Sequence, residues 1–394
     1  MTTASAGATA SDSRREGWRR PAVLGGAIGI AGTAFTLFCV FVGRRFFQPR
    51  GVSGAEALSP GGWFLPGLVQ WDSGWYAEIA EGGYWYRPDE AGPTAFFPGY
   101  PAAVRLAHEL FGVHAYVAGV WVSLVCGLAA TVMLALWIDR VWGPRMTAPA
   151  TLAFVVYPFS FFLFGPMYSE SFFVAIAVSA FYCLERRWLV PAVLLAAVAT
   201  ATRPVAPAIV AGLFFRHWEL KRAQGRPLQA VDALLLLSAA GMGAYVAFLW
   251  WKFGDPLAFA RVQSAPGWDH TPGWRTWLKL RFFAVMSGRL PVPIKITYAL
   301  HAGLGIGALL LAIRLRRMIG WGYALYVALA MGIPLIANKD FFPVGRYVVG
   351  AFPCAAALAS LWADRPALRS AWLAASAVMF AFLAAQYGRG VFVG

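Results

Sequence analysis

The sequence is poor in charged residues, and above all in acidic ones. Only 13% of its 394 residues are charged, and Asp and Glu together number 18 against 33 Lys and Arg. A soluble domain carries about 25% charged residues, because its surface needs a large polar shell. With 59% hydrophobic residues and a mean hydropathy of +0.60, the composition excludes a soluble globular protein and indicates a polytopic membrane protein.

Cysteine, histidine and clustered basic residues are also scarce. The four cysteines fall inside apolar segments without a Cys-x-x-Cys pair, which argues against a disulfide framework or a zinc site. The five histidines have no metal-ligand spacing, so no metal site is assigned. The net charge of +15 is spread between apolar segments, which argues against nucleic acid as a partner and is typical of membrane proteins.

Long apolar runs predict an all-α fold of about eleven transmembrane helices, each near the roughly 20 residues that cross a bilayer. The run 188–215 is too long for one span, and Arg203-Pro204 interrupts it. Because helices usually end before a proline, two half-helices that meet at Arg203 are predicted. The other predicted spans are 22–43, 114–138, 146–164, 168–184, 229–250, 294–313, 319–336, 345–362 and 371–388.

The distribution of Lys and Arg predicts the orientation. Under this count most of them fall on one face, which the positive-inside rule makes the cytoplasm. We therefore expect a multi-pass protein of the cell membrane with membrane lipids around it, and any chemistry on the extracytoplasmic face. The predicted parts are a disordered cytoplasmic N-terminus (1–21), a first transmembrane module (22–250) with outer loop 44–113, and a C-terminal module (251–394) with outer loop 251–291.

The first outer loop is not expected to be structureless. Residues 73–82 and 100–111 each place apolar side chains on one helical side and polar ones on the other. Two short amphipathic helices in the membrane interface are therefore predicted. In the second loop, residues 275–289 form a similar basic segment.

Asp72 is the candidate for chemistry in the first loop. It precedes the first amphipathic helix, so it could be an ordinary N-cap that satisfies free N–H groups. It also lies between aromatic residues at the membrane surface, where a carboxylate could act as a general base toward a hydroxyl. The two roles are compatible. Glu170 is a second candidate, because it lies near the hydrocarbon boundary at the start of the fourth span, although the helix dipole also favours an anion there.

Three basic residues could bind a phosphate group near Asp72. Arg203 lies at the predicted helix break, Arg346 opens the tenth span, and Lys339 is close to it in sequence. Each alone is explained as a snorkelling anchor. As a set that converges on Asp72 they would bind a lipid phosphate, a task that suits the bidentate guanidinium group.

Five motifs in order resemble those of the PIG-V family, the glycosylphosphatidylinositol mannosyltransferases that add the second mannose, with their bacterial relatives. The resemblance covers about residues 60–355. The motifs are Trp71-Asp72-Ser73-Gly74-Trp75-Tyr76, Phe96-Phe97-Pro98-Gly99-Tyr100-Pro101, Tyr157-Pro158-Phe159-Ser160 with Tyr168-Ser169-Glu170-Ser171, Thr200-Ala201-Thr202-Arg203-Pro204, and Gly345-Arg346-Tyr347 with Phe352-Pro353.

The resemblance implies the GT-C fold and the inverting transfer of mannose from polyprenyl-phosphate-mannose to a hydroxyl of a lipid-linked glycan or glycolipid. Asp72 matches the position of the family's catalytic base. Glu170 could orient the acceptor or assist a divalent metal, but the sequence lacks the Asp-x-Asp of cytosolic metal-dependent glycosyltransferases. The residues expected to bind the donor phosphate are Arg346, then Arg203 and Lys339, and those expected to line the site are Trp71, Trp75, Tyr76 and Tyr168.

Two other classes of protein stay open. A flippase or transporter of lipid-linked sugars would share the many spans, the basic cavity and the broken helix. Transporters tend to place key polar residues near the bilayer midplane, whereas here the ionisable residues lie at span ends and in the outer loops, which favours an interfacial enzyme. A non-catalytic scaffold would explain Asp72 only as a cap. The glycine-rich run 303–307 lies inside an apolar span, which indicates helix packing rather than a nucleotide loop.

Overall fold

The computed structural model describes residues 6–51 and 53–394, with side chains from residue 18 onward. The described part contains helices and no strand, so the all-α fold class is confirmed. Its helices are α1 (Ala6–Phe46), α2 (Phe64–Leu68), α3 (Ser73–Gly82), α4 (Gly99–Phe111), α5 (Ala115–Trp142), α6 (Pro144–Val155), α7 (Ser169–Glu185), α8 (Leu189–Thr200), α9 (Ala206–Arg222), α10 (Ala240–Phe253), α11 (Ala258–Arg261), α12 (Trp274–Trp277), α13 (Leu280–Ser287), α14 (Val292–Ile319), α15 (Trp321–Ala337), α16 (Val344–Tyr347), α17 (Pro353–Ala359) and α18 (Pro366–Gly388).

Several of these helices have the length and composition of membrane spans, as expected of a multi-pass membrane protein. Among the described residues, five helices are long and apolar enough to cross a bilayer, and α8 and α15 are shorter apolar helices. The predicted number of about eleven is therefore not confirmed. The five candidates are Trp18–Phe46, Ala115–Trp142, Ala230–Phe253, Val292–Ile319 and Pro366–Gly388.

Prolines explain why some predicted spans are not single helices. The predicted span 146–164 becomes α6 followed, after Pro158, by a short 3₁₀ turn at Ser160–Leu163. The predicted span 345–362 is divided into α16, a 3₁₀ turn and α17, which begins at Pro353. Proline lacks the N–H that a continuous helix needs and restricts the residue before it. The break predicted in 188–215 is confirmed, since α8 ends at Thr200 and α9 begins at Ala206.

The first helix begins earlier than the first predicted span. It starts at Ala6, inside the segment 1–21 that the sequence predicted as disordered, while residues 1–5 lie outside the described part. The division of the chain into modules 22–250 and 251–394 stays a prediction. The two modules share buried polar contacts: Trp137 of α5 donates to Tyr323 of α15 (2.8 Å), and the Tyr323 hydroxyl donates to Glu185 of α7 (2.7 Å).

Helix α5 occupies the centre of the bundle and packs against α1, α4, α6 and α7, while α9 packs on α15 and α1 on α18. The core beneath the outer loops is strongly aromatic. Aromatic rings offer large apolar area and pack edge to face, which makes this core a rigid platform for the outer segments. Its fully buried rings include Phe159, Phe161, Phe162, Phe164, Phe181 and Phe352.

Both short helices predicted in the first outer loop are present, as α3 and α4. The Phe-Phe-Pro-Gly-Tyr-Pro segment leads into α4, and the Gly99 N–H donates to Ala201 O (2.7 Å) at the end of α8. A side chain at Gly99 would overlap the Thr202 hydroxyl. Glycine is therefore required here by the close approach of two chains. This contact joins the first outer loop to the helix break that carries Arg203.

The same break is packed from its other side by Gly241 of α10, and this contact is testable. A Cβ atom at Gly241 would overlap Ala197 O and crowd Ala201, whereas a Cβ atom at Gly243 would meet nothing within 4 Å. We expect Gly241→Ala to lower the free energy of unfolding by about 1–3 kcal/mol through overpacking. The matched control Gly243→Ala should be neutral or stabilising by about 0.5–1 kcal/mol. Thermal unfolding of the purified protein in detergent measures both, and equal effects would contradict this packing.

Candidate active site

Asp72 takes the N-cap position of α3, but its side chain makes no capping hydrogen bond. Instead its Oδ2 accepts a hydrogen bond from Arg346 Nη1 at 2.9 Å, across 274 residues of sequence. The interpretation of the Asp72 carboxylate as a hydrogen-bonding N-cap of α3 is therefore wrong. Asp72 Oδ1 has no hydrogen-bond partner among the described residues, and 23% of the side chain is exposed. One carboxylate oxygen of Asp72 is therefore hydrogen-bonded and the other is free.

Glu170 joins the two predicted arginines. Its Oε1 lies 3.2 Å from Arg203 Nη1 and 3.2 Å from Arg346 Nε, and only 1% of its side chain is exposed. Glu170 belongs to the first turn of α7, as predicted. The Arg346 Nε contact is an ion pair without hydrogen-bond geometry, so Arg346 Nε and Glu170 Oε2 are both buried with no hydrogen-bond partner in the described part of the chain. The cluster thus keeps unused hydrogen-bonding capacity.

Aromatic rings surround the guanidinium groups. The Arg346 guanidinium lies 4.9 Å from the ring centre of Tyr168 and 5.5 Å from that of Phe162. Arg203 lies 5.1 Å from the ring of Tyr347. Such cation–π contacts stabilise a partly buried cation and fix its orientation. Tyr168 was predicted as a lining residue. Tyr347 belongs to a predicted motif but was given no role, and the part of Phe162 was not foreseen.

Hydrogen bonds of side chains hold the start of α3 against the start of α7. The Asp72 N–H donates to Tyr168 Oη at 3.3 Å. The Ser73 hydroxyl lies 2.8 Å from Gln70 O and 3.1 Å from Met167 O. The Tyr76 hydroxyl donates to Ser169 Oγ at 3.0 Å. Tyr76 and Tyr168 are almost fully buried, so they position Asp72 and do not form an exposed wall of the site.

Lys339 does not contact this cluster. Its Nζ donates to Trp268 O (2.7 Å) and pairs with Asp269 (3.3 Å) in the second outer loop. Burial, with the nearby ammonium of Lys339, lowers the pKa of His270 to about 4, so the ring is neutral at pH 7. Neutral Nδ1 can then accept the Lys339 backbone N–H, which lies 3.3 Å away. Lys339 therefore stabilises the part of the second outer loop that contacts the first outer loop, where the ring centre of Trp268 lies 6.0 Å from that of Trp75.

An open cleft runs along α3, the helix that Asp72 precedes. It has a volume of about 580 Å³, and it is bordered by Trp71 and Trp75, two of the residues predicted to line the substrate site. Trp71 has a φ of +52° and is half exposed. A bulky residue in this left-handed region is strained by about 1–3 kcal/mol, and such residues cluster at functional sites. The contributions of Glu78, Glu81 and Tyr116 to the cleft were not foreseen.

An apolar cavity of about 320 Å³ lies near the short helix α16, since Val348 and Val349 border it. Tyr157 lines it and donates to Gly345 O (2.8 Å), the carbonyl next to Arg346. The cavity continues between α6, α14, α17 and α18. Gly303 and Gly307 both border it, and a side chain at either would meet nothing within 4 Å, whereas one at Gly305 would press on Val344. The sequence predicted that the glycine run 303–307 serves helix packing. Of its three glycines, this explains only Gly305.

The residues around Asp72 do not suit a metal ion. In the described part of the chain, no three His, Cys, Asp or Glu side chains group as metal ligands. The Glu170 carboxylate, for which assistance to a divalent metal was one of two predicted roles, already faces two guanidinium groups. A cation beside them would be repelled, so the donor set fits arginine better than a metal.

Comparison with known proteins supports the resemblance seen in the motifs. Residues 57–237 match the family model Mannosyltransferase (PIG-V). The resemblance is thereby confirmed for this stretch, which contains Asp72, Glu170 and Arg203. The late motif with Arg346 lies beyond it, so its assignment to the family stays a prediction.

A human protein, GPI alpha-1,6-mannosyltransferase 2, is 34% identical over 149 residues. The matched region covers 35% of this chain and 29% of the human protein, so it spans less than a third of that relative. Among solved structures, the apo oligosaccharyltransferase of Archaeoglobus fulgidus has 14% identity and a TM-score of 0.47, covering 93% of this chain and 56% of that chain. ArnT of Cupriavidus metallidurans bound to undecaprenyl phosphate has 16% identity and a TM-score of 0.47, covering 85% and 60%.

The buried position of Glu170 makes its charge testable. In Glu170→Gln, Arg203 loses its carboxylate partner and Arg346 keeps only Asp72. Because removing one partner of a buried ion pair leaves an uncompensated charge, we expect the free energy of unfolding to fall by about 3–5 kcal/mol. Glu90→Gln, which removes an exposed pair with Arg87, is the control and should change it by less than about 1 kcal/mol. Equal thermal unfolding of the two variants would contradict the importance of the buried pair.

Proposed function

We propose that this protein is a membrane mannosyltransferase of the GT-C type. It transfers mannose from polyprenyl-phosphate-mannose to a hydroxyl of a lipid-linked glycan or glycolipid, on the extracytoplasmic face. The observation that carries the proposal is the hydrogen bond between Asp72 and Arg346, since it brings a candidate base and a phosphate-binding cation together from distant motifs. The match of residues 57–237 to the PIG-V family model supports the choice of sugar.

The proposed reaction is a single inverting displacement. The acceptor hydroxyl oxygen bonds to the anomeric carbon of mannose as the bond from that carbon to the phosphate oxygen breaks. The leaving phosphate keeps the electron pair, and the proton of the hydroxyl passes to the open Oδ1 of Asp72. Arg346 and Arg203 stabilise the negative charge that develops on the phosphate. The products are a mannosylated acceptor and polyprenyl phosphate.

Glu170 has a positioning task in this scheme. Its Oε1 lies 3.2 Å from both Arg203 Nη1 and Arg346 Nε, and only 1% of its side chain is exposed, so a substrate does not reach it. We therefore assign Glu170 to holding the two guanidinium groups in place for the phosphate.

The apolar cavity is where the proposal places the polyprenyl chain. Its lining residue Tyr157 donates to the carbonyl next to Arg346, and Val348 also borders it, so a lipid with its phosphate on that arginine would have its chain close to the cavity. Burial of each CH₂ group contributes about 0.8 kcal/mol, which makes an apolar cavity a strong determinant of chain binding.

The assignment of Asp72 as the base predicts the behaviour of Asp72→Asn. The amide keeps the shape of the side chain but cannot accept the proton, so transfer of labelled mannose should fall by about 10²–10⁴-fold. The matched control Asp89→Asn changes an exposed residue of the same loop and should keep full activity. Normal turnover by Asp72→Asn would contradict the proposal. Movement of the labelled donor across vesicles without transfer would instead favour a flippase.

The cavity predicts a chain-length effect in Gly307→Leu. The new side chain would project into open space in the cavity, so the KM for a long-chain polyprenyl-phosphate-mannose should rise about tenfold or more. The KM for a short-chain analogue should not change, because its chain does not reach the leucine. Gly332→Leu, at an equally open position of α15, is the control. A rise of the same size for both donors would mean that the cavity does not hold the chain.

A further inference from the structure

The cleft along α3 has a chemical character that the donor does not explain. Its walls combine aromatic rings with two carboxylates, and Asp72 lies in sequence between two of its lining residues, Trp71 and Gly74. Its volume of about 580 Å³ lies within the 300–1,000 Å³ typical of small-molecule sites. The residues that matter here are Trp71, Gly74, Trp75, Glu78, Glu81 and Tyr116.

The side chains of the cleft are held in place by contacts with one another. Trp85 Nε1 donates to Glu78 Oε1 at 2.6 Å. His114 stacks on the Tyr116 ring at 5.0 Å, and its Nε2 lies 3.7 Å from Glu81. Only part of each carboxylate is used, because Glu78 Oε2 and Glu81 Oε2 have no hydrogen-bond partner in the described structure. The cleft therefore presents fixed acceptors between aromatic faces.

This combination suits a sugar. A flat aromatic ring packs against the C–H face of a pyranose, and carboxylate oxygens accept hydrogen bonds from its hydroxyl groups. The cleft also has free space at Gly74, since a side chain there would meet nothing within 4 Å.

Charge distinguishes this cleft from the donor side. Arg203 and Arg346 lie against the buried carboxylate Glu170, whereas the cleft carries two exposed carboxylates and no Lys or Arg among its lining residues. A phosphate can hydrogen-bond to the two guanidinium groups of the first region and would be repelled by the two carboxylates of the cleft.

We propose that this cleft is the acceptor subsite and that it takes a sugar residue without an anionic substituent, with Glu78 and Glu81 rejecting anionic sugars. This inference rests on the proposed function, because it takes Asp72 as the base that receives the acceptor's proton. It adds to that function the residues that bind the acceptor and the charge of the sugars that they accept.

The test separates binding from transfer. The full-length protein in nanodiscs is titrated with three octyl glycosides, a neutral mannoside, a cationic glucosaminide and an anionic glucuronide, and binding is followed by ligand-observed NMR. The same glycosides are then offered as acceptors with labelled polyprenyl-phosphate-mannose. We expect the mannoside and the glucosaminide to bind, and the glucuronide to bind about tenfold more weakly or not at all.

Two variants locate the binding site. Gly74→Leu should weaken binding of the mannoside about tenfold while the KM for the donor stays unchanged, and Gly82→Leu, at another open glycine of α3 outside the cleft, should bind normally. The double variant Glu78→Gln, Glu81→Gln should bind the glucuronide nearly as well as the mannoside. Loss of charge discrimination is a readout that a merely structural role of these residues would not produce.

The outcomes distinguish this inference from the proposed function. If the wild type binds mannoside with the expected pattern but transfers no mannose, the subsite stands as a sugar site and the proposed reaction fails. If mannose is transferred but Gly74→Leu and the double variant bind and select glycosides as the wild type does, the subsite assignment is overturned. Equal binding of all three glycosides to the wild type would also overturn it.

Discussion

Glu170 lies almost completely buried within 3.2 Å of both Arg203 and Arg346, and the segments around the candidate site converge on this contact. An ion without water costs several kcal/mol unless partners compensate it, so three segments must meet at one point. The break between α8 and α9 supplies Arg203, the short helix α16 supplies Arg346, and the first turn of α7 supplies Glu170. Asp72 then completes the cluster from the first outer loop. Prolines and glycines near these residues make the breaks and close approaches that this convergence requires.

The cluster also divides its surroundings into two environments. An apolar cavity is bordered by Val348, close to Arg346 in sequence, and an aromatic and acidic cleft opens along α3, the helix that follows Asp72. The first region suits the chain of a lipid, and the second suits an uncharged sugar. Asp72 has one oxygen bound by Arg346 and one free. In the proposed reaction, two substrates of different character therefore need not compete for the same contacts.

Local patterns in the sequence were sufficient for the helices of the first outer loop, the break at Arg203 and the position of Glu170, because amphipathic spacing and prolines act over a few residues. They did not predict the number of long spans, since hydropathy alone treats as continuous two apolar runs that are interrupted near Pro158, after the end of α6, and at Pro353, where α17 begins. The hypothesis that Arg203, Arg346 and Lys339 converge on Asp72 rested on the phosphate chemistry of the set and not on local spacing. Arg346, 274 residues away, does bind Asp72, while Lys339, a neighbour of Arg346 in sequence, pairs with Asp269. The contact of the Phe392 ring with Trp71, 5.1 Å between centres, had no signal at all.

The equal numbers of positive and negative groups in the cluster have an electrostatic consequence for the proposed reaction. Two carboxylates and two guanidinium groups sum to zero, so a bound phosphodiester brings the total to minus one. Bond cleavage then leaves a phosphate monoester with a second negative charge, while Asp72 becomes neutral by accepting the acceptor's proton. The sum stays at minus one from substrates to products, and a poorly solvated region never has to hold a further unit of charge. In such a poorly solvated region, proton acceptance by Asp72 and departure of the phosphate are coupled electrostatically as well as through the bonds that change.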